Sequence, residues 1–304
     1  MLLLLLFAAL NSATKNNVKK STISCDGLVF QQVYYDRHLI MKDLGRPYNL
    51  MMHKYSGTLF FSETIRNNSD IDFEIKACDL NKKKPECHVV KGVPGGYAIA
   101  YDAGNDDVYF GGHSGIYKYD FIKKEAQFFS EKGKSIWGLF VRRNFYYIEY
   151  PSQTLHVYHR DAFVKVAEAI NIEVDIFFKS KMGEVYFSNK TALYKVEKLT
   201  RYPIVLSDSI SVRQIADDTF GDVYICATDG VYLEEKPYLR VKKIADIQDA
   251  YGLTFDERDY VIYSDKTSVY KLLPSNKSKI CSDDYMVLDE DENVTDNARD
   301  LLIS

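Results

Sequence analysis

Short apolar runs alternate with turn residues along most of this chain, and one unit of that pattern recurs. Val223-Tyr224-Ile225-Cys226-Ala227 is an apolar run, Thr228-Asp229-Gly230 is a turn, and Val231-Tyr232-Leu233 is a second run. Together they predict a β-hairpin. Asp107 to Tyr117, Glu184 to Tyr194 and Tyr260 to Tyr270 repeat it. In all four copies seven residues separate the paired positions: Phe110 and Tyr117, Phe187 and Tyr194, Ile225 and Tyr232, Tyr263 and Tyr270. Looser copies surround Phe60-Phe61, followed by Phe73-Glu74-Ile75, and Tyr146-Tyr147, followed by Leu155-His156-Val157-Tyr158, which makes six. The copies recur at intervals of roughly 40 residues, the period of a propeller blade of four short strands. A helical repeat could share that period, but β-branched and aromatic residues dominate these runs and turn residues cut them to strand length. The expected fold is all-β, a six-bladed β-propeller; the alternative is a β-sandwich.

Blades are expected over residues 46–92, 93–133, 134–172, 173–209, 210–248 and 249–282, within a single domain spanning 25–282. Leu28 to Leu44 holds no full blade. A terminal strand there, either Val29 to Tyr35 or His38 to Lys42, is expected to complete the last blade and close the ring.

Each expected blade opens with a short apolar strand beside the central channel. Aligning the six openings places Tyr48, Tyr97, Trp137, Val174, Arg213 and Tyr251 in equivalent positions at one mouth. The next ring is Asn49, Ala98, Gly138, Asp175, Gln214 and Gly252. Four aromatics, one guanidinium and a small or polar ring behind them suit a flat, conjugated, anionic ligand: faces stack, Arg213 pairs with an acid, and the small residues leave room. The candidate ligand-binding residues are therefore Tyr48, Asn49, Tyr97, Trp137, Asp175, Arg213, Gln214 and Tyr251. Asp175 is expected to neutralise Arg213 when no ligand is bound. The competing explanation is that these aromatics pack between blades.

Composition adds to this picture. Tyr, at 24 of 304 residues, and Phe, at 17, suit blade faces. The formal net charge is -4 and no Arg-rich stripe exists, which argues against a nucleic-acid partner. Leu2 to Leu10 is an unbroken apolar run followed by Asn11-Ser12-Ala13-Thr14, so residues 1–13 read as a signal peptide and the protein as secreted. No later run is long enough for a membrane span. Residues 283–304 form an acidic C-terminal tail.

Five Cys suit an oxidising compartment. Cys78 and Cys87 flank an obvious turn and are expected to bridge an outer hairpin. Cys25 and Cys281 lie near the two ends of the repeat array, which a closed ring brings together, so they are expected to pair. Cys226, inside a strand, is expected to be free. Sequons for glycosylation occur at Asn67, Asn189, Asn276 and Asn293.

Catalytic signatures are absent: there is no Gly-x-Ser-x-Gly, no His-Glu-x-x-His and no phosphate loop. No cofactor is expected. Asn49 and Asp175 are the only obvious oxygen donors in the inner ring, few for a calcium ion that takes 6–8 oxygens.

Cys25-Asp26-Gly27, Arg46-Pro47-Tyr48-Asn49-Leu50, the run Val89 to Gly96, Gly115-Ile116-Tyr117-Lys118-Tyr119, Ile136-Trp137-Gly138-Leu139-Phe140 and Tyr150-Pro151-Ser152-Gln153 resemble the ommochrome-binding proteins of moth and butterfly haemolymph, from about Cys25 to Lys271. The resemblance implies a secreted, non-catalytic haemolymph carrier of ommochromes, the planar, conjugated, acidic phenoxazinone pigments made from tryptophan. It supplies no map of binding residues, and the acidic tail lies outside it. The alternatives are a calcium-dependent six-bladed hydrolase or lactonase and a secreted protein-binding propeller.

Overall fold

The computed structural model describes residues 24–67, 70–169 and 171–282. The expected signal peptide, the acidic tail and Asn293 lie outside the described residues. So does the side chain of Asn67.

Six antiparallel sheets surround one channel. Blade 1 comprises β3 (Tyr48–His53), β4 (Thr58–Asn67), β5 (Asp70–Asp79) and β6 (Glu86–Val89); blade 2 comprises β7 (Ala98–Asp102), β8 (Asp107–Gly112), β9 (Gly115–Asp120) and β10 (Glu125–Ser130). Blade 3 is built from β11 (Ser135–Arg142), β12 (Asn144–Tyr150), β13 (Thr154–His159) and β14 (Ala162–Lys165). Blade 4 holds β15 (Ile176–Lys179), β16 (Val185–Ser188), β17 (Leu193–Val196) and β18 (Ile204–Ser207). Blade 5 holds β19 (Val212–Asp217), β20 (Val223–Ala227), β21 (Gly230–Glu235) and β22 (Arg240–Asp246). Blade 6 takes β23 (Gly252–Phe255), β24 (Val261–Ser264) and β25 (Val269–Pro274) from one end of the domain, and β2 (Val33–Met41) and β1 (Leu28–Phe30) from the other. The six-bladed propeller expected from the repeat is the observed fold.

The seven-residue spacing has a direct structural meaning. Phe110 faces Tyr117, Phe187 faces Tyr194, Ile225 faces Tyr232 and Tyr263 faces Tyr270 across the central hairpin of their blades. Two of these pairs stack, at 5.0 Å for Phe187–Tyr194 and 5.3 Å for Tyr263–Tyr270. Cross-strand aromatic pairs of this kind are the stabilising unit of a sheet. At the tightest turn, Gly230 has φ +152, and a Cβ there would run into the Ala245 carbonyl oxygen. The turn therefore requires glycine.

Each blade buries both faces against its neighbours. Six apolar clusters result, one at each blade-to-blade interface. Between blades 4 and 5 the interface also encloses Lys195, whose Nζ sits 2.7 Å from Glu234 and 2.9 Å from Glu184, while Tyr186 donates to Glu234 at 2.7 Å. The Lys195 and Glu234 side chains are fully buried.

The ring closes where β2 pairs with β25, from Tyr35–Pro274 to Met41–Val269. The closing strand takes the end of one expected segment and most of the other, and it is longer than either. One departure from four strands per blade follows: Leu28–Phe30 turns back and pairs outside β2, giving blade 6 a fifth strand. Short, apolar and followed by the left-handed pair Gln31-Gln32, this segment reads in sequence as part of the strand it folds against.

The disulfides are as expected. Cys25 pairs with Cys281, and Cys78 with Cys87, which are direct cross-strand partners on β5 and β6. Cys226 is free and buried between blades 5 and 6, where burial pushes its thiol up to about 12. No helix among the described residues is long and apolar enough to cross a membrane.

Three outcomes are expected. Replacing Cys25 and Cys281 together by Ser lowers unfolding free energy in denaturant by at most about 5 kcal/mol, the chain-entropy value for so long a loop. Peptide mapping without reduction shows Cys226 unlinked. Glu234→Ala leaves Lys195 charged and buried with half its partners, and equilibrium unfolding registers a loss of about 3–5 kcal/mol.

Candidate functional site

The innermost strands β3, β7, β11, β15, β19 and β23 contact one another in order around the channel, and β23 returns to β3. Their first residues share one end, the mouth. There the rings form a continuous belt. Tyr48 meets Tyr251 edge-on at 4.9 Å and Tyr97 at 5.7 Å; Tyr97 stacks on Trp137 at 4.3 Å and 22°. Arg213 extends the belt, its Cζ 5.4 Å from the Tyr251 ring centre. The alignment of blade openings thus brought Tyr48, Tyr97, Trp137, Arg213 and Tyr251 together correctly. Val174 is buried between blades 3 and 4.

Local backbone irregularity aims several of these side chains. Register shifts fall between Tyr48 and Met51, between Ile136 and Gly138, and between Val212 and Gln214. The extra residues are Asn49-Leu50, Trp137 and Arg213. A bulge leaves one residue unpaired and re-aims its side chain. Trp137, Arg213 and Asn49 all reach the channel this way, and Asn49 adopts φ +52 to do so.

A cavity of about 640 Å³ runs along the channel from this end, its lining reaching Tyr101, Arg142 and Asp217 at the other. Asn49, Tyr97, Trp137, Asp175, Arg213 and Gln214 line it, whereas Tyr48 and Tyr251 stand outside its lining and support Tyr97 and Arg213. Burial holds the Tyr97 hydroxyl well above its usual pKa, so it remains protonated. Arg213 is partly buried, makes no ion pair among the described residues, and its Nε is buried with no hydrogen-bond partner.

Several expectations about the inner ring need correction. The Asp175–Arg213 pair does not form. Asp175 instead receives a hydrogen bond from Gln153 Nε2, on the turn of the neighbouring blade, and burial raises its pKa despite nearby Lys190. The Gln214 amide is engaged with backbone: Oε1 accepts from the N–H groups of Leu50 and Leu253, both at 3.1 Å, and Nε2 donates to the Leu50 carbonyl at 2.7 Å. It ties blades 5, 6 and 1 together. Asn49 donates to the Tyr97 carbonyl at 2.9 Å and so links blades 1 and 2. The small residues also serve packing. A Cβ on Gly252 would strike Leu50 and crowd Gln214, and one on Gly138 would strike Ile148.

Sequence reasoning missed four features of the site. Phe73 packs edge-on against Tyr97 at 4.7 Å, and Tyr150 lies 5.8 Å from Trp137. The β16–β17 turn brings Asn189, Lys190 and Thr191 to the cavity wall, where Asn189 Oδ1 accepts from the Thr191 and Ala192 N–H groups. The available signal was alternation: a turn between second and third strands lies at the same end as the start of the first. At the opposite end, the base, Arg142 of blade 3 reaches past blade 4 to Asp217 of blade 5 with bonds of 2.6 and 3.0 Å, and donates to the Lys179 carbonyl at 2.7 Å. Lys54–Asp259 and His53–Asp106 continue this polar collar. Residues 75 positions apart give no local signal of such a pair.

No group of three or more His, Cys, Asp or Glu among the described residues is placed to hold a metal ion. Of the two candidate oxygen donors, Asp175 accepts from Gln153 through Oδ1, and Asn49 donates to the Tyr97 carbonyl through its amide nitrogen.

The raised pKa of Asp175 has a definite sign. The folded protein favours its neutral form, so its contribution to stability is greatest below the unfolded carboxylate pKa and declines as pH rises through the folded value. Asp175→Asn keeps the contact with Gln153 without the buried charge. Thermal melts across the mildly acidic range are expected to show a flatter pH dependence and a neutral-pH stability equal to or above the parent.

No family model matches the chain. Over 258 residues, 83% of this chain and 92% of its relative, it is 25% identical to the ommochrome-binding protein of Manduca sexta. Among solved structures it resembles a gluconolactonase from Xanthomonas campestris, with a TM-score of 0.61 and 12% identity over 83% of this chain and 96% of that one. It also resembles a calcium-binding protein, regucalcin, from Agrobacterium tumefaciens, with a TM-score of 0.58 and 10% identity over 79% and 96%. At such identities the structural likenesses speak for the propeller fold alone. The likeness to the ommochrome-binding proteins, first visible in motifs from Cys25 to Lys271, extends over nearly the whole of the Manduca sexta relative.

Proposed function

We propose that this protein is a secreted, non-catalytic carrier that holds an ommochrome-type pigment, planar, acidic and tryptophan-derived, in the mouth of its channel. The observation that carries the reading is Arg213: a partly buried guanidinium with no ion pair, at the end of an aromatic belt, beside a cavity of about 640 Å³. An unpaired buried cation is costly, and an acidic ligand group supplies its missing acceptor. Trp137 and Tyr97 offer flat faces to a conjugated ring system. The name of the Manduca sexta relative supports the ligand class, and the two disulfides suit a secreted, haemolymph location. Glycosylation at Asn276 and at Asn189, the latter on the cavity wall, belongs to the same reading.

Titration with ommochrome pigment tests it, followed by Trp137 fluorescence, since the chain has one Trp. Saturable quenching is expected. Trp137→Ala weakens binding by about 0.5–1.5 kcal/mol beyond lost area. Arg213→Ala weakens the acidic pigment more than its neutral ester. Pigment bound by equilibrium dialysis without quenching would place the ligand elsewhere, and calcium-dependent turnover of a lactone would overturn the non-catalytic reading.

A further inference from the structure

Eight large apolar side chains among the described residues are between 61% and 96% exposed, and seven of them lie at the base of the propeller. Because strands alternate in direction, the turn after each innermost strand and the turn before each outermost strand lie at the base, opposite the mouth. Tyr55 occupies the β3–β4 turn and Ile122 the β9–β10 turn. The other five belong to two adjacent blades: Met182, Leu199 and Tyr202 on blade 4, Phe220 and Tyr238 on blade 5. The exception, Ile71, is on β5.

The five tips belong to neighbouring turns. A Cβ on Gly183 would touch the stem of Lys198, one on Gly221 would touch Lys181, and Lys236 donates to the Gly221 carbonyl at 3.2 Å. Cations flank most of the tips in sequence: Lys181 beside Met182, Lys198 beside Leu199, Arg201 beside Tyr202, and Lys236 and Arg240 about Tyr238. Of these, Lys198 and Arg201 are exposed and make no ion pair among the described residues. The acids nearby are Glu197; Asp222, which lies 3.9 Å from Lys236; Glu235, which is bound to Arg240; Asp218, whose carboxylate accepts from the Gly221 and Asp222 N–H groups and whose carbonyl accepts from Lys181; and Asp259, which accepts from Thr219 beside Phe220 and pairs with Lys54.

We propose that the base of blades 4 and 5 docks on a phospholipid surface. Two features select that occupant over a folded protein. Tyr202, Phe220 and Tyr238 stack on no other ring among the described residues, and the Tyr238 ring carries the Arg240 guanidinium, so the aromatic tips stand as separate spikes. Separate spikes need individual sockets in a protein partner, whereas a bilayer interface accommodates each one. Aromatic and aliphatic tips beside Lys and Arg are also the composition that enters the headgroup region while its cations meet lipid phosphates. Docking by the base leaves the mouth in water, so lipid and pigment bind without competing.

Flotation with phosphatidylcholine vesicles, with and without phosphatidylserine, tests the proposal on the full chain. The protein is expected to rise with vesicles, more with the anionic lipid. The triple variant Leu199→Ser, Phe220→Ser, Tyr238→Ser is expected to lose at least about tenfold in partitioning while its thermal melt stays close to the parent, because exposed tips carry little packing. Tyr55→Ser and Ile122→Ser lose less. Absence of flotation, equal losses from both sets of variants, or a dimer in light scattering that the triple variant abolishes without any flotation would each overturn it. Pigment quenching of Trp137 is read separately and stands or falls independently.

Discussion

Everything in this structure depends on closing the ring. A propeller blade has two apolar faces and can bury them only against its two neighbours, so an open array would leave one face of its first and last blades in water. Pairing of β2 with β25 removes that exposure, and the Cys25–Cys281 bond holds the two ends of the domain beside each other. The six interface clusters follow from that closure, including the one between blades 6 and 1 that joins Leu50, Leu59 and Phe61 to Ile262 and Val269. Polar bridges run in the same circle. Gln214 couples three blades at once, through backbone groups that no strand partner satisfies.

Closure also creates the site. Six strand starts that are far apart in sequence converge on one channel, and their side chains become neighbours. Regular strands would send alternate residues toward and away from the lumen. The bulges at Asn49-Leu50, Trp137 and Arg213 break that alternation and turn these side chains to the channel. The site is therefore assembled from departures from ideal sheet geometry, held in place by the close-packed blades around them.

The two ends of the channel are chemically unlike. The mouth has aromatic faces and an unpaired guanidinium, while the base is crossed by the Arg142–Asp217 pair and ringed by further charged contacts. Inside the collar the basal charges are mutually satisfied, and outside it the basal turns present apolar tips.

The repeated hairpin determines the fold, because strand length, turn residues and a fixed seven-residue pairing are local properties carried in the sequence of the blades themselves. Aligning the copies was enough to gather Tyr48, Tyr97, Trp137, Arg213 and Tyr251 at one mouth, and closure of the repeat was enough to pair Cys25 with Cys281. Tertiary structure alone decided which groups remained free. Asp175 went to Gln153, Gln214 and Asn49 were taken by backbone, and Gly252 and Gly138 proved to accommodate neighbouring side chains. Those outcomes depend on distances between blades, down to a single hydrogen-bond length, and periodicity contains no information about them. The same holds for Arg142 and Asp217, which meet across the channel only because the ring closes to this particular diameter.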